Sequence, residues 1–149
     1  MLIHAFVTSR IDYCNSLFTN IPKNSIKVLQ SIQNYAARLV SGSNLRNHIT
    51  PVLEELHWLP VVDRIDFKVL LITYKVVHLG IPLYLVSQIK FKKPTRNLRY
   101  YDDLLLEEPR SYSSKMGDRS FQFYAPKLWN NIPFEIRSAV SVDIILNHA

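Results

Sequence analysis

Lys90, Lys92, Lys93, Arg96 and Arg99 crowd into ten positions, with Phe91, Tyr100 and Tyr101 interleaved among them. Cations at that density neutralise phosphates and rings stack on unpaired bases, so the chemistry on offer is the binding of single-stranded RNA or DNA. The charge is local rather than spread. No acidic residue lies between Asp66 and Asp102, while Lys68, Lys75 and these five cations all do, in a chain whose formal net charge is +6. Polyanions are the partners such a segment implies. The competing reading is a solvated linker whose charges only maintain solubility.

Other residue types with chemical potential are isolated. His48 and His57 lie nine apart across a proline, without cysteine or carboxylate at zinc-ligand spacing, so ordinary polar or packing roles are expected and no metal or other cofactor. Cys14 is the only cysteine, which rules out an internal disulfide. With no histidine nearby in sequence to activate it, it reads as a buried thiol on a helix and not as a nucleophile. No glycine-rich phosphate loop is present. Trp58 and Trp129 each sit beside leucine and proline at an element boundary, where packing is expected ahead of base stacking.

The elements that must position these residues are helical. Val62, Ile65, Val69, Ile72, Val76 and Leu79 step by three and four, widened by Leu70, Leu71, Tyr74 and Val77, while Arg64, Lys68 and Lys75 mark a wet face. This predicts a central amphipathic helix over about 60–79, with Pro60 in its first turn and Gly80 closing it in a left-handed conformation. Two helices precede it. Leu2 to Phe18 reads as one, stopped by Asn20 and Pro22, and Ile26, Leu29, Ile32, Ala36, Leu39 and Val40 form the apolar face of the next, opposite Lys27, Gln30 and Asn34 and ended by Gly42. Thr50 can cap and Pro51 can open a short helix through Leu56, with Glu54 and Glu55 near its positive end.

Past Gly80 a short helix is expected over Leu83 to Ile89, and then the character changes. Residues 1–89 form a helical domain in this reading, 90–118 a basic linker with a small hairpin pairing Leu98–Tyr101 with Leu104–Leu106, and 119–149 a short strand and helical turns. The strand is Arg119 to Tyr124, and turns begin at Pro126, at Pro133 and at Ser141. Ser111 to Lys115 reads as a polar connection. With 149 residues, 48% hydrophobic and 20% charged, and only three glycines, the composition is that of an ordinary mainly α globular protein. The apolar runs are short and the first nine residues lack a basic start or a small-residue cleavage site, so neither a membrane span nor a secretion signal is expected. An intracellular location, nuclear or cytoplasmic, is the expectation.

Several long words occur in one order: Ser9-Arg10-Ile11-Asp12-Tyr13-Cys14-Asn15-Ser16-Leu17, His57-Trp58-Leu59-Pro60, Arg64-Ile65-Asp66-Phe67-Lys68, Gly117-Asp118-Arg119-Ser120-Phe121, and Ala125-Pro126-Lys127-Leu128-Trp129-Asn130 with Pro133. Together they resemble the region downstream of the polymerase core in reverse transcriptases of LINE-type, non-LTR retrotransposons, over about His4 to Val142. The resemblance implies descent from an RNA-directed DNA polymerase whose fingers and palm lie upstream. Two-metal chemistry needs the palm carboxylates to converge in one site, so a chain without them is expected not to polymerise. Met1 falls where the family reads on, and Ile144-Ile145-Leu146-Asn147-His148-Ala149 replaces its closing run of phenylalanines and lysines, as expected of a truncated copy.

Tyr100-Tyr101-Asp102-Asp103 spells the Tyr-x-Asp-Asp of a polymerase active site, but its lead-in is Arg96-Asn97-Leu98-Arg99 instead of an apolar strand, and an exposed acidic turn is expected. The function expected is that of a noncatalytic fragment binding RNA or single-stranded DNA through Lys90, Lys92, Lys93, Arg96, Arg99 and Tyr100. The alternatives are a helical protein–protein interaction module, packing on the polymerase core or on itself, and a non-functional remnant of a decayed element. The purified chain supplied with magnesium and a primed template is expected to show no extension. Template-dependent synthesis abolished by Asp102→Asn would overturn the noncatalytic reading.

Overall fold

A computed structural model describes residues 3–93, 104–110 and 117–139. The fold is mainly helical. Among the described residues the α-helices are α1 (Ser9–Asp12), α2 (Lys23–Ser41), α3 (Thr50–Glu55), α4 (Val61–Tyr74), α5 (Leu83–Val86), α6 (Phe121–Asn130) and α7 (Phe134–Arg137). Contacts divide the chain into two compact units, Met1–Asp66 and Phe67–Ala149. That division falls within α4, whereas the composition changes near residue 90.

In the first unit, α2 is terminated by Gly42 at φ 66°, as its glycine predicts. Its buried face differs from the expected one. Gln33, Ala36 and Ala37 are buried, while Ile32, Leu39 and Val40 are exposed. Small side chains at 36 and 37 leave room for Trp58, which packs there with Val52 and Leu53. The glutamines are inside because they satisfy backbone. Gln33 Nε2 donates to the Leu59 carbonyl at 2.8 Å, and Gln30 Oε1 accepts the Val61 N–H at 2.8 Å, one of the orphan donors at the start of α4. Periodicity counts large apolar residues, so it could not see a face built from alanine and glutamine.

Trp58 is delivered by the end of α3. His57 N–H donates to the Glu54 carbonyl at 3.0 Å and Trp58 N–H to the Leu53 carbonyl at 2.8 Å, with His57 at φ 53°. That is a Schellman termination, and its hydrophobic contact is Leu53 with Trp58. Pro51 lies in the first turn as expected, but Thr50 makes no capping hydrogen bond and no acid occupies that turn. Glu54 and Glu55 end the helix, where the dipole disfavours them.

The first predicted helix is interrupted. A π-helical turn, His4–Thr8, runs into α1, the chain turns at Tyr13 and Cys14, and a 3-10 turn covers Asn15–Phe18. Polar side chains there compete for the backbone, as when the Thr19 hydroxyl donates to the Ser16 carbonyl. Ile11 joins Val61 and Ile65 in a second small core. Beside it Arg64 forks onto Asp12, its Nε 2.7 Å from Oδ1 and its Nη2 on Oδ2.

Beyond Asp66, α4 buries Val69, Thr73 and Tyr74, then widens into a π-helical stretch, Lys75–Leu79, that Gly80 closes at φ 65°. The expected helix is therefore present with its predicted end. Its buried stripe runs through Val61, Ile65, Val69, Thr73 and Val76 in place of Val62, Ile72 and Leu79. Thr73 is tolerated inside because its hydroxyl donates to the Val69 carbonyl at 2.8 Å. Tyr74, Leu106 and Trp129 form the core of the second unit, with Phe67, Val77, Ile89, Ile132 and Ile136 around them.

Two expectations about this unit are corrected. Arg119 to Tyr124 is no strand: Gly117–Arg119 is a 3-10 turn and α6 begins at Phe121, so Pro126 sits inside a helix. The short helix after Gly80 ends at Val86. Leu98–Tyr101, the predicted hairpin partner of Leu104–Leu106, and Ser111–Lys115 and Ser141 lie outside the described residues.

Asn130, at the end of α6, holds an extended segment. Its Oδ1 accepts the Leu106 N–H and its Nδ2 donates to the Leu106 carbonyl, both at 2.9 Å, while Nδ2 also reaches Glu108 Oε1 at 2.8 Å. Leu106 is fully buried. Asn130→Ala would orphan two buried backbone groups and is expected to cost about 2–4 kcal/mol, read by urea unfolding. His57→Gly relieves a left-handed residue whose side chain is exposed and is expected to raise stability by about 0.5–1 kcal/mol in the same measurement.

Candidate nucleic-acid interface

The basic segment is placed by the strand-like run that Asn130 holds. Phe91 faces Leu106 in an isolated antiparallel bridge, flanked by Lys92 N–H to the Leu105 carbonyl at 2.9 Å and Glu107 N–H to the Lys90 carbonyl at 2.8 Å. Leu106 thus gives its own N–H and carbonyl to Asn130 on one edge, while its neighbours bond to the lysine segment on the other. The alternation of an extended chain then sorts the side chains. Phe91 lies on the side of buried Leu106, and Lys90 and Lys92 lie on the opposite side. Ile89, packed on Tyr74 and Trp129, anchors the start of the segment.

Lys90, Lys92 and Lys93 are all exposed, and Phe91 is 47% exposed. With Glu107 they line a cleft of about 800 Å³. Lys90 and Lys92 therefore lie on one face and a half-open ring on the other, on a backbone bonded along one edge to a strip that Asn130 holds along its far edge. This arrangement can grip a phosphate and offer a stacking face. The other predicted contacts, Arg96, Arg99 and Tyr100, and the Asp102-Asp103 pair, lie outside the described residues.

Glu107 is the residue that sequence reasoning missed. It stands opposite Lys90 across the bridge, where unlike charges attract, and it reduces the positive field of the cleft. Along the chain it is separated from the lysines by more than a dozen positions, so a linear count of acids passes it by. Asn130 left a trace, as the last residue of the word Ala125-Pro126-Lys127-Leu128-Trp129-Asn130.

No protein-family model, curated protein or solved structure matches this chain. The site is argued from its own geometry. Trp58 and Trp129 are 8% and 1% exposed, which makes them core residues and not stacking platforms. Trp129 Nε1 donates to the Leu104 carbonyl at 2.8 Å, adding a second hold on the extended segment.

Cys14 is exposed at φ 52°, which corrects the expectation of a buried helical thiol: the turn after α1 lifts it off the helix face. His48 and His57 are both exposed. Among the described residues no three of His, Cys, Asp and Glu are grouped to hold a metal ion, and no helix is long and apolar enough to cross a membrane. His78 is tied into the fold, its Nε2 2.7 Å from the Arg137 carbonyl and its ring centroid 4.4 Å from that of Tyr74.

Proposed function

We propose that this chain is a noncatalytic region of a retrotransposon-derived RNA-directed DNA polymerase, from downstream of the polymerase core, which contacts single-stranded RNA or DNA through Lys90, Lys92 and Lys93. The observation that carries the binding is the exposed lysines flanking Phe91 on a backbone hydrogen-bonded to Leu105 and Glu107, with Phe91 paired to Leu106. Pre-ordered cations lose less entropy on meeting a phosphate backbone than cations on a free linker do. The family reading is supported by the ordered words from Ser9 to Pro133, which resemble LINE-type reverse transcriptases. In this reading the protein is intracellular, in the nucleus or the cytoplasm, and takes no cofactor.

The second reading, a helical interaction module, is favoured by the apolar side chains left exposed on both units, among them Tyr35, Leu39, Leu83 and Tyr84. It makes no use of the lysines.

Titration of the full chain with a labelled single strand at several salt concentrations separates the two. If about five phosphates are engaged, one for each of the five cations between Lys90 and Arg99 in the sequence, the log–log slope is expected near −3.5. Lys92→Ala with Lys93→Ala should reduce its magnitude by about 1.4. Glu107→Gln should tighten binding about two- to fivefold by removing the opposing charge. A slope indistinguishable from zero would sink the nucleic-acid reading.

A further inference from the structure

Helix α2 carries a second apolar stripe. Val28, Ile32, Tyr35 and Leu39 follow at steps of four, three and four, the spacing of a coiled-coil seam, and are 62%, 46%, 63% and 72% exposed. At 100° per residue the stripe is turned by about 130° from the buried face of Gln33, Ala36 and Ala37, so it is not the margin of the core. We propose that this stripe is a self-complementary interface through which two copies of the chain pair, α2 against α2, antiparallel.

Symmetry singles out a second copy as the occupant. The spacing reads the same in both directions about the midpoint between Gln33 and Asn34. A two-fold axis there sets Val28 against the partner's Leu39 and Ile32 against the partner's Tyr35, with no apolar residue of the stripe left over. Each contact occurs twice, as an isologous dimer requires.

Charge selects the direction. The helix holds Lys23, Lys27 and Arg38 and no acidic residue. A parallel pair would set the like ends of the two helix macrodipoles side by side, with Lys23 and Lys27 of both copies at the same end. The antiparallel pair brings Lys23 and Lys27 beside the carbonyl end of the partner helix, where the macrodipole is negative. Arg38 is turned to the Asn47 carbonyl, 2.8 Å away. The exposed part of the four residues amounts to roughly 450 Å² per copy, and with the flanking polar residues the dimer buries on the order of 1,200 Å² in all, the lower end of specific interfaces. Association is therefore concentration-dependent, with a dissociation constant on the order of micromolar.

Sedimentation of the full chain over about 1–200 µM is expected to show a monomer–dimer equilibrium, weakened about tenfold or more by Leu39→Lys and separately by Tyr35→Lys. Both positions are exposed, so circular dichroism at concentrations below the dissociation constant should show the same helix content and melting profile. In a Cys14→Ser background, which removes the exposed native thiol, a mixture of Val28→Cys and Leu39→Cys chains should form a disulfide-linked pair, and Val28→Cys alone should not. A monomer at every concentration, or a dimer indifferent to both lysine variants, would overturn the proposal. So would preferential linking of Val28→Cys to itself, the mark of a parallel seam. The dimer does not depend on the nucleic-acid reading, since Lys92→Ala with Lys93→Ala should leave it unchanged.

Discussion

The side-chain amide of Asn130 on the backbone of Leu106 is the constraint from which the second unit follows. A fully buried residue in an extended segment has two polar groups that must find partners, and water is not among them. One amide supplies both a donor and an acceptor at 2.9 Å, the pairing that a neighbouring strand would otherwise provide. Leu106 can then enter the core with Tyr74 and Trp129, and the free edges of Leu105 and Glu107 can bond Lys92 and Lys90. The lysines are exposed because an uncharged, partly buried side-chain amide holds the strip behind them.

The first unit meets the same demand in the same way. Gln30 and Gln33 close the backbone at Leu59 and Val61, and the Arg64 fork fixes Asp12 where the first helix turns away. Arg64 and Asp12 are partly exposed, so their pairing acts more through fixed geometry than through net charge energy. The words on which we base the proposed resemblance to LINE-type reverse transcriptases fall on such positions: Asp12, Trp58, Arg64, Trp129 and Asn130 each pack in a core or satisfy a backbone or charge partner. A motif of this kind speaks of fold. None of those words contains Lys90, Lys92 or Lys93, so the binding reading stands on electrostatics and exposure and gains nothing from the length of the resemblance.

That distinction explains what could be read in the chain beforehand. Helix existence was legible because amphipathic periodicity and glycine terminators are local: Gly42 and Gly80 both end their helices in the left-handed region. Faces were legible only where the largest residues do the packing. They were misjudged in α2, where alanine and glutamine face inward, and in α4, where Thr73 does. Phe121 to Tyr124 alternates like a strand yet is helical, since the core claims Ala125 and Trp129, one helical turn apart, and both belong to the same helix. The lysine row was visible from charge alone. Glu107 and the hold of Asn130 were not, because both depend on pairing between segments distant in sequence.

Size also bears on why apolar side chains remain outside. Units of some 66 and 83 residues bury a smaller share of their surface than a single domain of the full length would. The first unit commits two alanines, one valine, one leucine and one tryptophan to its main buried cluster. Yet α2 keeps Val28, Ile32, Tyr35 and Leu39 in solvent, at a spacing that one more helix would match. Had those four positions served only solubility, polar residues of equal helix propensity would have stabilised the helix as well without an aggregation liability. A seam of this regularity on the longest helix among the described residues therefore adds, between two copies, apolar burial separate from the thin core of the first unit.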